Sequence, residues 1–311
     1  MTMKAGSNLE RVLAAGHFAV TAEVGPPRSP DPEAVRKKAR SVKGIADAYN
    51  VTDNQTAVVR MSSIAASKIL LEEGLEPVMQ MVCRDRNRIA MQSDLLGAWA
   101  LGIRNCLCLS GDHQSAGAGG KLKGHPGAKN VYDVDSIQLL SIVKGLRDTA
   151  TQEGGDTIEA PASFFIGAAW TPLGPPEAFR TIRLGKKATA GADFVQTQAV
   201  YDIARFSEAM RRAVDTGVTE RVAILPGIIL PRSAGMLKYM NANVPGINIP
   251  EETIKRMSSA ADPKEEGFKI AIELIHAVRA IPGVKGVHLQ AIEQEQLLPA
   301  LVERAGLLPR P

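Results

Sequence analysis

The stretch FAVTAEVGPP (residues 18–27), followed by DPEAVRKKARSV (residues 31–42), decides the fold. Phe18–Val24 is a short, mostly apolar run of the length of a buried strand. Gly25-Pro26-Pro27 ends it, because proline lacks the N–H that a strand ladder needs. Asp31 then stands at the N-cap position of a helix predicted over Pro32–Val42. This is the opening of a βαβ unit. Its turn lacks the Gly-x-Gly-x-x-Gly loop that begins a dinucleotide-binding open sheet.

The same rhythm runs outward to the end of the chain. Strands are predicted over Ala46–Thr52, Glu76–Cys83, Asn105–Leu109, Phe164–Ala169, Phe194–Gln198, Val222–Pro226 and Gly286–Ala291. Helices are predicted between them over Ser62–Glu73, Arg88–Leu101, Val134–Thr149, Glu177–Ala190 and Ile203–Asp215. After the seventh strand come Ala234–Met240, Glu251–Ser259 and Glu265–Arg279, and Gln294–Arg304 closes the series. Ile137, Leu140 and Val143 recur at helical spacing, as do Ile270, Leu274 and Val278, and both sets are expected to face the strands. Eight strand–helix pairs without a linker-like change of composition predict an α/β chain folded as one (β/α)8 TIM barrel over residues 1–311.

Composition narrows the function. With 45% apolar and 23% charged residues the chain has a globular balance. Its net charge of +4 is spread along the sequence, and aromatics are only 4%, so neither a basic stripe nor a stacking platform for nucleic acid is present. The three cysteines, Cys83, Cys106 and Cys108, are too few and too irregularly spaced for a disulfide framework. The segment MTMKAGSNLERVLAAG has no apolar signal core, and no run approaches the roughly 20 apolar residues of a membrane span. The expectation is a cytoplasmic protein that uses neither membrane nor nucleic acid. HExxH, CxxC and Gly-x-Ser-x-Gly patterns are absent, and Cys106 and Cys108 inside an apolar strand are expected to be core, so no metal site is expected.

In such a barrel the chemistry sits where strands run into the following loops. The polar residues there are Glu23, Thr52, Asp53, Gln80, Cys83, Asp85, Ser110, Gly111, Asp112, His113, Trp170, Thr171, Gln196, Gln198, Tyr201, Asp202, His288, Gln290 and Glu293. Glu23 lies between apolar Ala22 and Val24. A carboxyl with apolar walls holds its proton to higher pH and suits a general acid, although a solvated or helix-capping carboxylate fits the same pattern. Asp112 follows an apolar strand through Ser110-Gly111, where glycine permits close approach of a ligand. The stretch His113–Val131 holds Gly117, Gly119, Gly120, Gly124 and Gly127 among Lys121, Lys123, His125 and Lys129. It reads as a binding loop that could surround phosphate without being a P-loop, or as a solvated insertion. Alternation sends Gln196 and Gln198 the same way, either to recognise a heterocycle edge or to form a satisfied polar layer inside the barrel.

Taken in order, these strand ends resemble those of the methylenetetrahydrofolate reductase family. The resemblance rests on Thr21-Ala22-Glu23-Val24-Gly25-Pro26-Pro27-Arg28, on Tyr49-Asn50-Val51-Thr52-Asp53, and on Gly102-Ile103-Arg104 through Leu109-Ser110-Gly111-Asp112. It continues through Gly191-Ala192-Asp193 to Thr197-Gln198, and through Leu225-Pro226-Gly227-Ile228 with Leu230-Pro231. Each motif is weak alone; the ordered set spans nearly the whole chain. The resemblance implies a (β/α)8 barrel that reduces 5,10-methylenetetrahydrofolate to 5-methyltetrahydrofolate with a bound flavin. It implies Glu23 as the acid that protonates N10 and opens the ring to an iminium, with hydride passing from flavin N5 to the exocyclic carbon. It implies Asp112 between flavin and folate and Gln198 on the pterin. It also implies Thr52, Asp53, Gln80, Ser110, Gly111, Tyr132, Asp133, Trp170 and Lys187 at or near flavin-binding positions.

The chain departs from the family pattern in four places. Ser110 replaces an arginine before Gly-Asp, Asp53 an aromatic and Gln80 a histidine. Ala199 and Val200 follow Thr-Gln where aromatics are usual. These departures leave FAD and FMN both open. They also leave open NAD(P)H or a partner electron-transfer protein as electron source, and a homo- or hetero-oligomeric state. Two other readings of the barrel stand beside the reductase: a pterin-binding methyltransferase barrel, and a non-catalytic barrel subunit of a redox complex.

Overall fold

Parallel strands joined by helices must cross over on one hand, and eight such units in succession bring the last strand back to the first. The computed structural model, which describes residues 3–115 and 124–311, shows this closure. The strands are β1 (Ala19–Glu23), β2 (Ala48–Val51), β3 (Pro77–Val82), β4 (Asn105–Leu109), β5 (Phe165–Trp170), β6 (Phe194–Ala199), β7 (Ala223–Ile229) and β8 (Gly286–Gln290). Each pairs in parallel with its sequence neighbours, and β8 pairs with β1 through Thr21 opposite His288. The predicted helices appear as α2 (Pro32–Ser41), α3 (Ser63–Glu72), α4 (Arg88–Ala100), α5 (Ser136–Asp148), α6 (Glu177–Ala190) and α7 (Ile203–Asp215). The longer insertion after β7 carries α8 (Ala234–Asn243), α9 (Glu251–Ser259) and α10 (Pro263–Arg279), and α11 (Leu298–Arg304) follows β8. Gly117, Gly119, Gly120, Lys121 and Lys123 of the long loop after β4 lie outside the described residues.

One helix was not expected from the sequence. α1 (Asn8–Ala14) precedes β1 and closes the N-terminal end of the barrel. Its Leu9 and Val12 pack on the lowest interior layer, formed by Ala19, Ala48, Val78, Leu107, Phe165, Phe194 and Leu225. Phe165 and Phe194 stack there at 5.3 Å between ring centroids. They need Gly167 beside them, since a Cβ at that position would stand 2.4 Å from the Phe194 ring. The strand residues of opposite parity, including Cys106 and Cys108, are buried in the layer between strands and helices, as expected of core thiols. Asp31 caps α2 by accepting a 2.9 Å bond from the Glu33 N–H.

Above the apolar layer lies a buried polar belt. The Asn50 side-chain amide donates to the Gln196 side-chain oxygen at 2.5 Å, and the Gln196 amide donates to Asn50 at 2.9 Å and to the Thr21 hydroxyl at 3.0 Å. Thr21 in turn meets His288 Nδ1 at 3.0 Å. Each of these four side chains is buried, and each has a partner within the belt, so the group costs little to desolvate. Gln196 is thereby the satisfied interior layer and Gln198 the residue left for the mouth.

Candidate active site

Over the belt a cavity of about 460 Å³ opens at the C-terminal ends of the strands. Glu23, Thr52, Asp53, Gln80, Ser110, Gly111, Asp112, Trp170, Lys187 and Gln198 all line it. Of the expected site residues, Tyr132 and Asp133 are placed elsewhere. The Tyr132 hydroxyl donates to the Gly111 carbonyl at 3.0 Å, while Asp133 is bound by Arg88 at 2.9 Å on the exposed face of α4, which holds its carboxyl below the usual range. Tyr201 and Asp202 are also committed to structure. The Tyr201 hydroxyl donates to the Ile229 carbonyl at 2.8 Å, and Asp202 caps α7.

Glu23 ends β1 and is half-buried at the base of the cavity. Its carboxyl is raised above the usual range chiefly by burial, opposed by a 2.9 Å hydrogen bond that Gln290 Nε2 donates to Oε2. Glu295 adds to the rise, and Lys38 and Arg60 oppose it. Lys38 itself is tied at 2.6 Å to Glu295 and at 2.9 Å to the Gly25 carbonyl, so the Pro-Pro turn and the acid are braced together.

Asp112 reaches the rim because Gly111 turns the chain at φ +85°. A Cβ on Gly111 would lie 3.1 Å from Val82 Cβ and 3.2 Å from Arg84 Cβ, so glycine is required. Arg84 crosses beneath this turn, donating to the Asp112 carbonyl at 3.0 Å and to the Asn54 carbonyl at 3.0 Å. Gln198 is aimed by a bulge. Three residues of β6 advance from Gln196 to Ala199 while β7 advances two, from Leu225 to Gly227. The Thr197 hydroxyl accepts from the Gly227 N–H at 3.0 Å, holding the bulge, and the Gln198 amide lies at the cavity edge, its Oε1 accepting from the Ala199 N–H at 3.2 Å and its Nε2 reaching the Pro245 carbonyl at 3.5 Å.

The remaining lining residues differ in what they have to spare. Asp53 is spent, since it accepts from Arg86 at 2.7 Å and from the Val82 N–H at 3.0 Å. The Trp170 indole is packed outward and donates to the Arg180 carbonyl at 3.1 Å. The Thr52 hydroxyl, by contrast, is buried and has no partner among the described residues. On α6, Arg183 and Lys187 lie one turn apart on the cavity wall, and among the described residues neither has a carboxylate partner. Burial, with Arg183 adding to it, pushes Lys187 down to about 8. Sequence reasoning did not single out Arg84, Arg180, Arg183, Gln55 or Thr56, all of which line the cavity. The loop after β2 that carries the last two holds Asn54, Thr56 and Ala57 at positive φ, a strained turn for residues other than glycine.

A closed (β/α)8 barrel with a proton-retaining acid, amides and cations gathered at its C-terminal mouth defines the class: a barrel enzyme acting on a small polar molecule. Comparison with known proteins carries this further. The model of the family "Methylenetetrahydrofolate reductase" matches residues 8–306. The 5,10-methylenetetrahydrofolate reductase of Pectobacterium carotovorum subsp. carotovorum is 26% identical over 94% of this chain and 92% of its own. That of Escherichia coli (strain K12) is 25% identical over 76% of this chain and 72% of its own. A probable methylenetetrahydrofolate reductase (NADPH) of Caenorhabditis elegans is 26% identical over 82% of this chain, which spans 36% of the nematode protein's length. A Clostridium thermocellum protein described as binding two copies of 5-methyl-5,6,7,8-tetrahydrofolic acid shares the fold at a TM-score of 0.67. It is 12% identical, with 97% of this chain and 100% of that one covered. The chain belongs to the methylenetetrahydrofolate reductase family. Among the described residues no helix is long and apolar enough to cross a membrane.

Proposed function

We propose that this chain reduces 5,10-methylenetetrahydrofolate to 5-methyltetrahydrofolate, with Glu23 as the proton donor. The observation that carries the reading is the Glu23 carboxyl, which burial inclines to keep its proton and which lines the cavity with Gln198 and Asp112. An acid of this kind can protonate N10 of the bound folate, so that the N10–methylene bond opens and its electron pair leaves on nitrogen. Beyond its bonds to Ala199 and Pro245, Gln198 has a second N–H and a second lone pair for a pterin edge, and Asp112 at the rim places negative charge where an iminium would be stabilised. The name of the Clostridium protein, which binds the product of this reaction, supports a folate in such a barrel.

The residues present fit a flavin. The unpartnered Thr52 hydroxyl and the Gln80 amide suit the polar edge of an isoalloxazine, and Arg183 and Lys187 suit a phosphate. Bound reduced flavin would supply the hydride for the methylene carbon, while the protein orients and excludes water. FAD and FMN both satisfy this arrangement, and electrons reach it from NAD(P)H or from a partner electron-transfer protein. Three free, buried thiols suit the reducing cytoplasm as its location.

Glu23→Gln tests the assignment. Flavin binding and flavin reduction are expected to persist while methylenetetrahydrofolate reduction falls by about two to four orders of magnitude. Near-normal turnover would remove Glu23 from the mechanism. A purified protein without flavin absorbance would favour the methyltransferase or non-catalytic readings instead.

A further inference from the structure

Gln290 is the one side chain that hydrogen-bonds the Glu23 carboxyl among the described residues, and it reaches only one of its oxygens. Its Nε2 donates to Oε2 at 2.9 Å, and Oε1 has no hydrogen-bond partner among the described residues. An amide N–H cannot share an oxygen that already carries a proton aimed at it. The proton of the neutral acid is therefore directed to Oε1, the oxygen left available to a substrate. Gln290 is carried on β8, adjacent to β1 in the closed barrel, and its neighbour two residues earlier on the same face is His288 of the polar belt. The belt and the strand ladder thus fix the backbone from which the amide reaches.

We propose that Gln290 is a positioning residue for proton donation: it places the Glu23 proton on Oε1 and stabilises the carboxylate left after transfer. The step balances within the site. The Oε1–H bond breaks, the proton passes to the folate nitrogen, and the bonding pair stays on Glu23, where the Gln290 N–H already points at Oε2. The other charged groups facing the carboxyl are Lys38 from α2, Arg60 from the loop after β2 and Glu295 from the turn after β8. Lys38 is neutralised by Glu295 at 2.6 Å, and Arg60 donates to the Pro26 carbonyl at 3.2 Å. Neither makes a hydrogen bond to Glu23, so neither can choose between its oxygens. The inference rests on the reading of Glu23 as the acid.

Its test separates the two. Gln290→Met keeps length and removes the donor. Infrared difference titration of the protonated Glu23 carbonyl in the isolated full chain, identified by subtraction of Glu23→Gln, needs no catalysis. Loss of a hydrogen bond that favours the ionised form is expected to move this titration up by about one pH unit. In turnover, the limb falling as pH rises through the Glu23 pKa is expected to move alkaline by the same amount, and the plateau below it to drop about tenfold. Gln290→Glu, which sets a second carboxyl against Glu23, is expected to move the titration further in the same direction and covers the case in which the methionine variant does not fold. An unmoved titration in the variants that fold would overturn the proposal. A moved titration with unaltered turnover would sustain the Gln290–Glu23 pairing and instead sink the role of Glu23 in catalysis.

Discussion

The two ends of the barrel hold buried polar groups in opposite conditions. At the closed end the carboxylates are saturated. Glu76 accepts from the Leu9 N–H at 2.9 Å and the Asn105 amide at 3.0 Å, capping α1. Asp47 binds Arg310 at 2.6 Å and the Val20 N–H at 2.7 Å. Asp193 binds Arg147 at 2.7 Å and the Ile166 N–H at 2.8 Å. At the mouth, among the described residues, Thr52 has no partner, Glu23 has one, and Arg183 and Lys187 face the cavity without a carboxylate. Saturated groups set the fold. Groups with bonding capacity left over are the ones a ligand can use, and the mouth gathers them in one place.

That contrast can be broken first at the closed end. Asp193→Asn leaves the buried Arg147 guanidinium with only the partly exposed Asp148 as counter-charge, and is expected to lower stability by about 3 kcal/mol. Urea unfolding would measure it, and a loss below about 1 kcal/mol would mean that the pair is not structural. The belt between the two ends gives the next effect. Burial pushes His288 down to about 3, so the folded state stays neutral where the unfolded chain takes up a proton. The group's folded pKa is depressed below its unfolded value near 6.5. Its contribution is therefore full above that value and is lost as pH falls, by about 2 kcal/mol between pH 7 and pH 5. His288→Gln should flatten that part of the stability–pH curve, and an unchanged slope would show that the imidazole is not desolvated. The smallest effect belongs to the mouth. Thr52→Val removes a hydroxyl that bonds nothing among the described residues, so unfolding stability should move by less than about 0.5 kcal/mol while flavin affinity weakens. A large stability loss would mean that the hydroxyl has a structural partner.

The strand–helix order was legible because burial on one or both faces leaves a periodic trace, and β4, α6, α7 and α9 begin and end where the sequence placed them. α1 was not, since seven residues make too short a window for periodicity, and its partner is the interior of a barrel closed by residues far along the chain. At the site, Glu23, Asp112 and Gln198 were readable as polar residues that end apolar strands. Asp53 read the same way, yet Arg86, a residue of another loop, takes up its oxygens. Residue type gives the capacity for bonding, and only the neighbours show how much is spent. Arg183 stayed hidden for the converse reason: an arginine on an amphipathic helix reads as a solvated face, and its place on the cavity wall depends on how α6 is rolled against β5 and β6.

The closed end also decides where the chain can be handled. Arg310 binds Asp47 and the Phe18 carbonyl at 2.9 Å, and Lys4 binds Asp193, so both ends of the described chain sit beside α1, a barrel's length from the cavity. A tether fixed to either end would hold the molecule with its mouth turned toward solution. A polypeptide extension fused at either end would start from the end of the barrel opposite the cavity.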